Sequence, residues 1–156
     1  MTKEEEKIIR RFQKKAPIRI FSLTRALGLE IYKHEFPDNI SGCIEREDDG
    51  SYVIFTNEYH SLNRRRFTVA HELAHYLLHR GLIENGVVDD TLFRSNLSGS
   101  LEREANNYAA ELLMPGHLIL ETIEEGIDSI KELADKFQVS EAAMSIRTGI
   151  PSFPER

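Results

Sequence analysis

The chain has 156 residues, of which 40% are hydrophobic and 29% charged, and a formal net charge of −6. This is the balance of one folded globular domain, not of a disordered chain, and its acidity argues against sequence-independent nucleic-acid binding. Cys43 is the single cysteine, which excludes an intrachain disulfide or a thiolate zinc cluster, and no apolar run nears the roughly 18 residues of a membrane span. MTKEEEKIIRRF lacks a signal-peptide core, so a cytoplasmic protein without membrane association is expected.

Residues 3–15 read as a surface helix with Ile8, Ile9 and Phe12 on one stripe. The first 20 residues carry seven basic side chains against Glu4, Glu5 and Glu6, a pattern read as a solvated face rather than a docking patch for an acidic partner. After Pro17 a short helix, Phe21–Leu27, stops at Gly28 as at a C-cap. Leu29–His34 alternates as a strand does, and Pro37-Asp38-Asn39 turns the chain. Ser41–Arg46 and Ser51–Asn57 are two further strands, closed as a hairpin by Asp48-Asp49-Gly50; SYVIFTN is rich in β-branched and aromatic residues. Ser61 is the expected N-cap of a long helix, with Arg64, Arg65 and Arg66 in its early turns as a polar face. Residues 80–99 are polar, contain Gly81, Gly86 and Gly99, and read as a long connection suited to covering a site. Ser100 is placed as the cap of a second long helix, Leu101–Leu113; beyond Pro115 helices follow at about 116–125, 128–137 and 140–148.

The chemistry concentrates in FTVAHELAHYLLH, residues 67–79. Phe67, Ala70, Leu73, Ala74, Leu77 and Leu78 recur at helical spacing with no Gly or Pro between them. On a helix, His71 and His75 lie one turn apart on one face, where two imidazoles can chelate one metal ion. Glu72 follows the first ligand directly, which places a carboxylate beside the metal as a general base for a bound water. His79 continues the stripe but lies about 12 Å along the axis from His71, too far to share one ion. It reads as a polar residue at the helix C-terminus, where a partly positive ring is favourable.

A catalytic zinc site needs a third protein ligand, and LEREANNYAAELLMP offers three acids. With Leu101 at 0° on a helical wheel, the apolar arc of Ala105, Ala109, Leu112 and Leu113 runs from about 20° to 120°. Glu102 falls inside it at about 100°, whereas Glu104 and Glu111 fall near 300° and 280°. A buried acid needs a partner to offset its desolvation, and a metal is one, so Glu102 is the candidate ligand. Asn106, one turn on, is placed to steady a ligand through its amide. Zinc suits such a His₂Glu set best, with manganese or another divalent ion as alternatives.

RRRFTVAHELAHYLLH and LEREANNYAAELLMP, with PIRIFSLTRALGLEIY and ISGCIEREDDGSYVIFTN upstream, resemble the ImmA/IrrE-type metallopeptidases over about residues 17–148. The resemblance implies an α+β, zincin-like fold: a small three-stranded, mostly antiparallel sheet packed on a helical bundle that carries the His-Glu-x-x-His helix and a second, Glu-bearing helix. It implies a single domain over 1–156, with an N-terminal helix (1–16), a zinc peptidase core (17–125) and helix-turn-helix-like C-terminal helices (126–148). Carried over by position, His71, His75 and Glu102 match the zinc ligands and Glu72 the catalytic acid; His75 and Glu102 are 27 residues apart, in keeping with the family pattern. The implied function is site-specific cleavage of a helix-turn-helix repressor, derepressing a phage-like element or stress genes. Ser51–Asn57 is expected at the sheet edge, holding substrate as an added strand. Tyr76, His60 and His117 are the candidates for stabilising the oxyanion.

A competing reading starts from IKELADKFQVSEAAMSIR, residues 130–147, which has the outline of a helix-turn-helix. A DNA-binding regulator with a structural metal site would follow. Against it, Gln138 stands where such turns usually place Gly, and Lys131, Lys136 and Arg147 are balanced by Glu132, Asp135 and Glu141. A third reading, a toxin–antitoxin or adaptor component that binds without cutting, has no need of Glu72.

Overall fold

The computed structural model describes residues 1–83, the backbone of 87–89, and residues 99–152. Its elements in chain order are α1 (Lys3–Phe12), α2 (Ile20–Ala26), β1 (Glu30–His34), β2 (Gly42–Arg46), β3 (Tyr52–Asn57), α3 (Leu62–Leu78), a 3₁₀ turn (Arg80–Leu82), β4 (Val87–Asp89), α4 (Gly99–Leu113), α5 (Gly116–Glu124), α6 (Ile130–Phe137) and α7 (Glu141–Thr148). The fold is α+β, a small mixed sheet packed on helices.

Local chemistry sets several of these boundaries. Thr2 and Glu5 form a reciprocal capping box at the start of α1. The Ser61, Ser129 and Ser140 hydroxyls accept from backbone N–H groups three residues on and open α3, α6 and α7. The described part of α4 runs from Gly99, with Ser100 in its first turn. Asp49 Oδ1 accepts from the Ser51 N–H (2.9 Å) and hydroxyl (2.6 Å), and Gly50 takes φ +88°, which closes the β2–β3 hairpin.

The sheet order is β1-β3-β2-β4. β3 pairs parallel with β1 and antiparallel with β2, and β4 adds a short antiparallel strand outside β2. The three expected strands are present, but the expected edge position of β3 is overturned. β3 lies between β1 and β2, so both sides of its backbone are already paired and it cannot accept a substrate strand. Its composition fits the interior: Val53, Ile54, Thr56 and Asn57 are buried.

α3 is the central element. Every residue from Thr68 to His75 is buried, so the helix is enclosed all round rather than amphipathic. One side rests on β2 and β3, another on α4, and a third meets α2. Val69, Ala70, Leu73 and Leu77 join Ile44 and Ile54 of the sheet and Leu112 and Leu113 of α4 in one core. Gly42 permits this packing. A Cβ there would collide with the Phe55 carbonyl oxygen and come within 2.8 Å of Thr68 Cγ2 on α3.

The three arginines of α3 separate. Arg64 faces solvent, Arg65 Nε donates to the His60 carbonyl at 3.3 Å, and Arg66 is buried at 4% exposure. Arg66 donates to the carbonyls of Phe137 (3.2 Å) and Gln138 (3.1 Å), pinning the end of α6 to the central helix. Arg80, just past α3, reaches back to Glu5 of α1 at 2.6 Å and lies over the Tyr76 ring.

Candidate metal centre

His71 and His75 leave α3 one turn apart, with their Nε2 atoms 3.1 Å from each other. α4 packs along α3, its buried Ala105 and Ala109 allowing close approach, and delivers Glu102 from its first turn. One Glu102 oxygen lies 3.2 Å from His75 Nε2 and the other 3.6 Å from His71 Nε2. Three ligand atoms each about 2.0–2.1 Å from a tetrahedral ion are about 3.3 Å apart. The cluster therefore fits a divalent metal without rearrangement, in donor chemistry and in spacing. Of the three acids on α4, Glu102 is buried, whereas Glu104 and Glu111 are exposed.

The environment keeps the nitrogens available. Burial, with the neighbouring His71 and His79 rings, lowers the His75 pKa to about 3 against the opposing pull of Glu102. His75 is thus neutral, as a ligand must be. His71 Nδ1 lies 2.8 Å from Asn106 Oδ1. An amide oxygen only accepts, so His71 carries its proton on Nδ1 and turns an unprotonated Nε2 toward His75 and Glu102. Glu72 is buried at 1% exposure on the same stretch of helix.

His79 lies at the helix C-terminus, as expected, but its contacts there were not. It sits at the C-cap of α3, buried, with its Nδ1 3.0 Å from His75 Nδ1 and its Nε2 3.3 Å from a Glu104 oxygen. The signal was present: His79 stands to His75 as His75 stands to His71, one turn on.

The IrrE N-terminal-like domain, a peptidase family, matches residues 24–148. The chain belongs to that family. Within this metallopeptidase family, the chain is 35% identical to metallopeptidase ImmA of Bacillus subtilis (strain 168) over 72 residues, 46% of this chain and 40% of ImmA. Its fold is similar to that of a Mycobacterium tuberculosis transcriptional regulator, with a TM-score of 0.62 at 18% identity, covering 99% of this chain and 49% of that one. The matched stretches span less than half the length of either protein.

The three oxyanion candidates are engaged elsewhere in this family member. His60 Nε2 lies 3.0 Å from the Asp38 carbonyl oxygen, Tyr76 meets Tyr52 edge to face with ring centroids 4.9 Å apart, and His117 Nε2 lies 2.9 Å from the Gln13 carbonyl oxygen. None of these contacts involves His71, His75 or Glu102. A cleft of about 650 Å³ opens on His71, with Phe67 and Thr68 of α3 on one wall and Ala143 and Ile146 of α7 on the other. One face of α7 and the turn before it thus look into the cleft. At the end of α6, Gln138 adopts the left-handed conformation (φ +54°) usual for Gly. The expected cover over the site falls mainly on residues 84–86 and 90–98, outside the described residues. No described helix is long and apolar enough to cross a membrane.

Proposed function

We propose that the chain is a zinc-dependent endopeptidase whose substrate is a helix-turn-helix transcriptional repressor. The observation that carries the reading is the convergence of His71, His75 and Glu102 with separations of 3.1–3.6 Å, beside a buried Glu72. His71, His75 and Glu102 hold the ion. Zinc bound there supplies Lewis acidity toward a scissile carbonyl and toward water. Glu72 takes the proton from the attacking water and returns it to the leaving amine nitrogen. Asn106 fixes the His71 ring, and the polypeptide lies in the cleft between α3 and α7. The repressor substrate is what the family resemblance implies; derepression of a phage-like element or stress genes follows from its cleavage.

The test is co-incubation of the zinc-loaded protein with the helix-turn-helix repressor encoded nearest to it, read by intact mass spectrometry. Two fragments with wild type and none with Glu72→Gln support the reading; equal cleavage by both overturns it.

The left-handed turn at Gln138 between α6 and α7 favours one second reading, a DNA-binding regulator. The exposed residues of α7 include Glu141, Ala142 and Ile146 but no lysine, and Arg147 is tied to the Met114 carbonyl at 3.0 Å. Such a face offers phosphates little. A salt-sensitive gel shift with nonspecific DNA would favour the regulator.

A further inference from the structure

We propose that His79 and Glu104 are positioning residues that set the proton of His75 and thereby prepare it to bind metal. The inference rests on His71, His75 and Glu102 being the metal ligands, and concerns what holds His75 in the ligating state.

The Glu104 carboxylate lies at ion-pair distance, 3.3 Å, from His79 Nε2 without forming a hydrogen bond to it, and its negative charge favours a proton over a lone pair on that nitrogen. With both rings neutral, His79 therefore carries its proton on Nε2 and presents a lone pair at Nδ1. That lone pair faces His75 Nδ1 at 3.0 Å. His75 must then carry its proton on Nδ1, leaving Nε2 unprotonated toward His71 and Glu102. The opposite arrangement puts a lone pair of His79 against the Glu104 carboxylate and a proton of His75 where the ion would sit. An exposed carboxylate on α4 thus selects, through two rings, the tautomer of a ligand that is buried at 1% exposure. α4 acts on the centre twice: Glu102 joins the cluster, and Glu104, two residues on, orients the ring beside it.

His79 suits this role for two reasons. At the C-cap its ring sits one turn beyond His75, with the ring centroids 5.2 Å apart, so it reaches the far nitrogen but not the cluster. Its burial at 8% keeps water from competing for the His75 proton. Metal-binding histidines generally donate their second N–H to a carboxylate, a carbonyl or water. Here a second imidazole stands between ring and carboxylate.

The test measures zinc affinity by competition with a chromogenic chelator, and apo thermal midpoints alongside, for wild type, His79→Ala, His79→Asn and Glu104→Gln. Asparagine places an acceptor oxygen where His79 Nδ1 lies. His79→Ala is expected to weaken zinc about 10- to 100-fold, His79→Asn to recover most of that loss, and Glu104→Gln to cost less because its carboxylate is exposed. Cobalt(II) loaded in place of zinc should give an altered visible spectrum in His79→Ala and a near wild-type one in His79→Asn. Wild-type affinity in His79→Ala would overturn the proposal. So would a loss that His79→Asn does not recover and that follows a matching fall in apo midpoint, which marks a purely structural residue. Wild type that binds no zinc would overturn the ligand assignment itself, a result distinguishable from the others.

Discussion

α3 buries polar groups at both ends, and the two ends differ in kind. Near its start, the Arg66 guanidinium is surrounded by acceptors: the carbonyls of Phe137 and Gln138 take its protons and tie α6 to the central helix. Near its end, acceptors converge on one another: two imidazole nitrogens and a carboxylate stand 3.1–3.6 Å apart. The first end is complete with the protein's own atoms and its effect is stability. The second gathers two imidazole nitrogens and a carboxylate around one point, an arrangement suited to a divalent cation. Burial of polar side chains alone would not distinguish them; the sign and direction of their partners do.

This contrast can be broken experimentally. The largest effect is expected from Glu72→Gln, which should retain zinc and lower cleavage by about 10²–10⁴-fold, the usual scale for a general base; mass spectrometry of a cleaved repressor and metal analysis check the two halves. Glu102→Ala should weaken zinc by well over tenfold in chelator competition while costing the apo protein less stability than a change at Arg66. If it destabilises the apo fold as much as Arg66→Ala, the two ends are alike and the contrast fails. Arg66→Ala leaves two carbonyls without their donor and should cost about 2–4 kcal/mol in denaturant unfolding, with zinc affinity per folded molecule unchanged. The smallest effect sharpens the stability end. Gln138→Gly relieves a left-handed backbone and should stabilise by about 1 kcal/mol, shifting the urea midpoint upward.

The readable parts of the molecule were those fixed by spacing within one element. His71 and His75 share a face because four residues make about one turn, and the helical wheel separated Glu102 from Glu104 and Glu111 because burial follows the apolar arc. The Ser61, Ser129 and Ser140 caps are similarly local. What could not be read depends on partners distant in the chain. The interior place of β3 comes from a parallel pairing with β1 that alternation does not encode. The oxyanion candidates were named for their chemistry, yet His117 is held by Gln13, 104 residues away. Glu104 was set aside because its wheel angle points outward, correctly for burial, but its tip still lies 3.3 Å from His79 on the neighbouring helix.

Gly42 has a wider reach than its position in a strand suggests. With no side chain there, the carbonyl of Phe55 and the methyl of Thr68 close the space above it, and the latter belongs to the turn of α3 just before His71. The sheet is in effect a datum surface, and residue 42 sets the clearance between it and the helix bearing two of the three cluster residues. A methyl group added at that point would press on the Thr68 turn of the helix, whereas Glu102 is mounted on α4, which packs against α3. The alignment of the cluster is therefore a tolerance problem spread over the whole fold, and a change in β2 can detune it without touching any atom of the cluster.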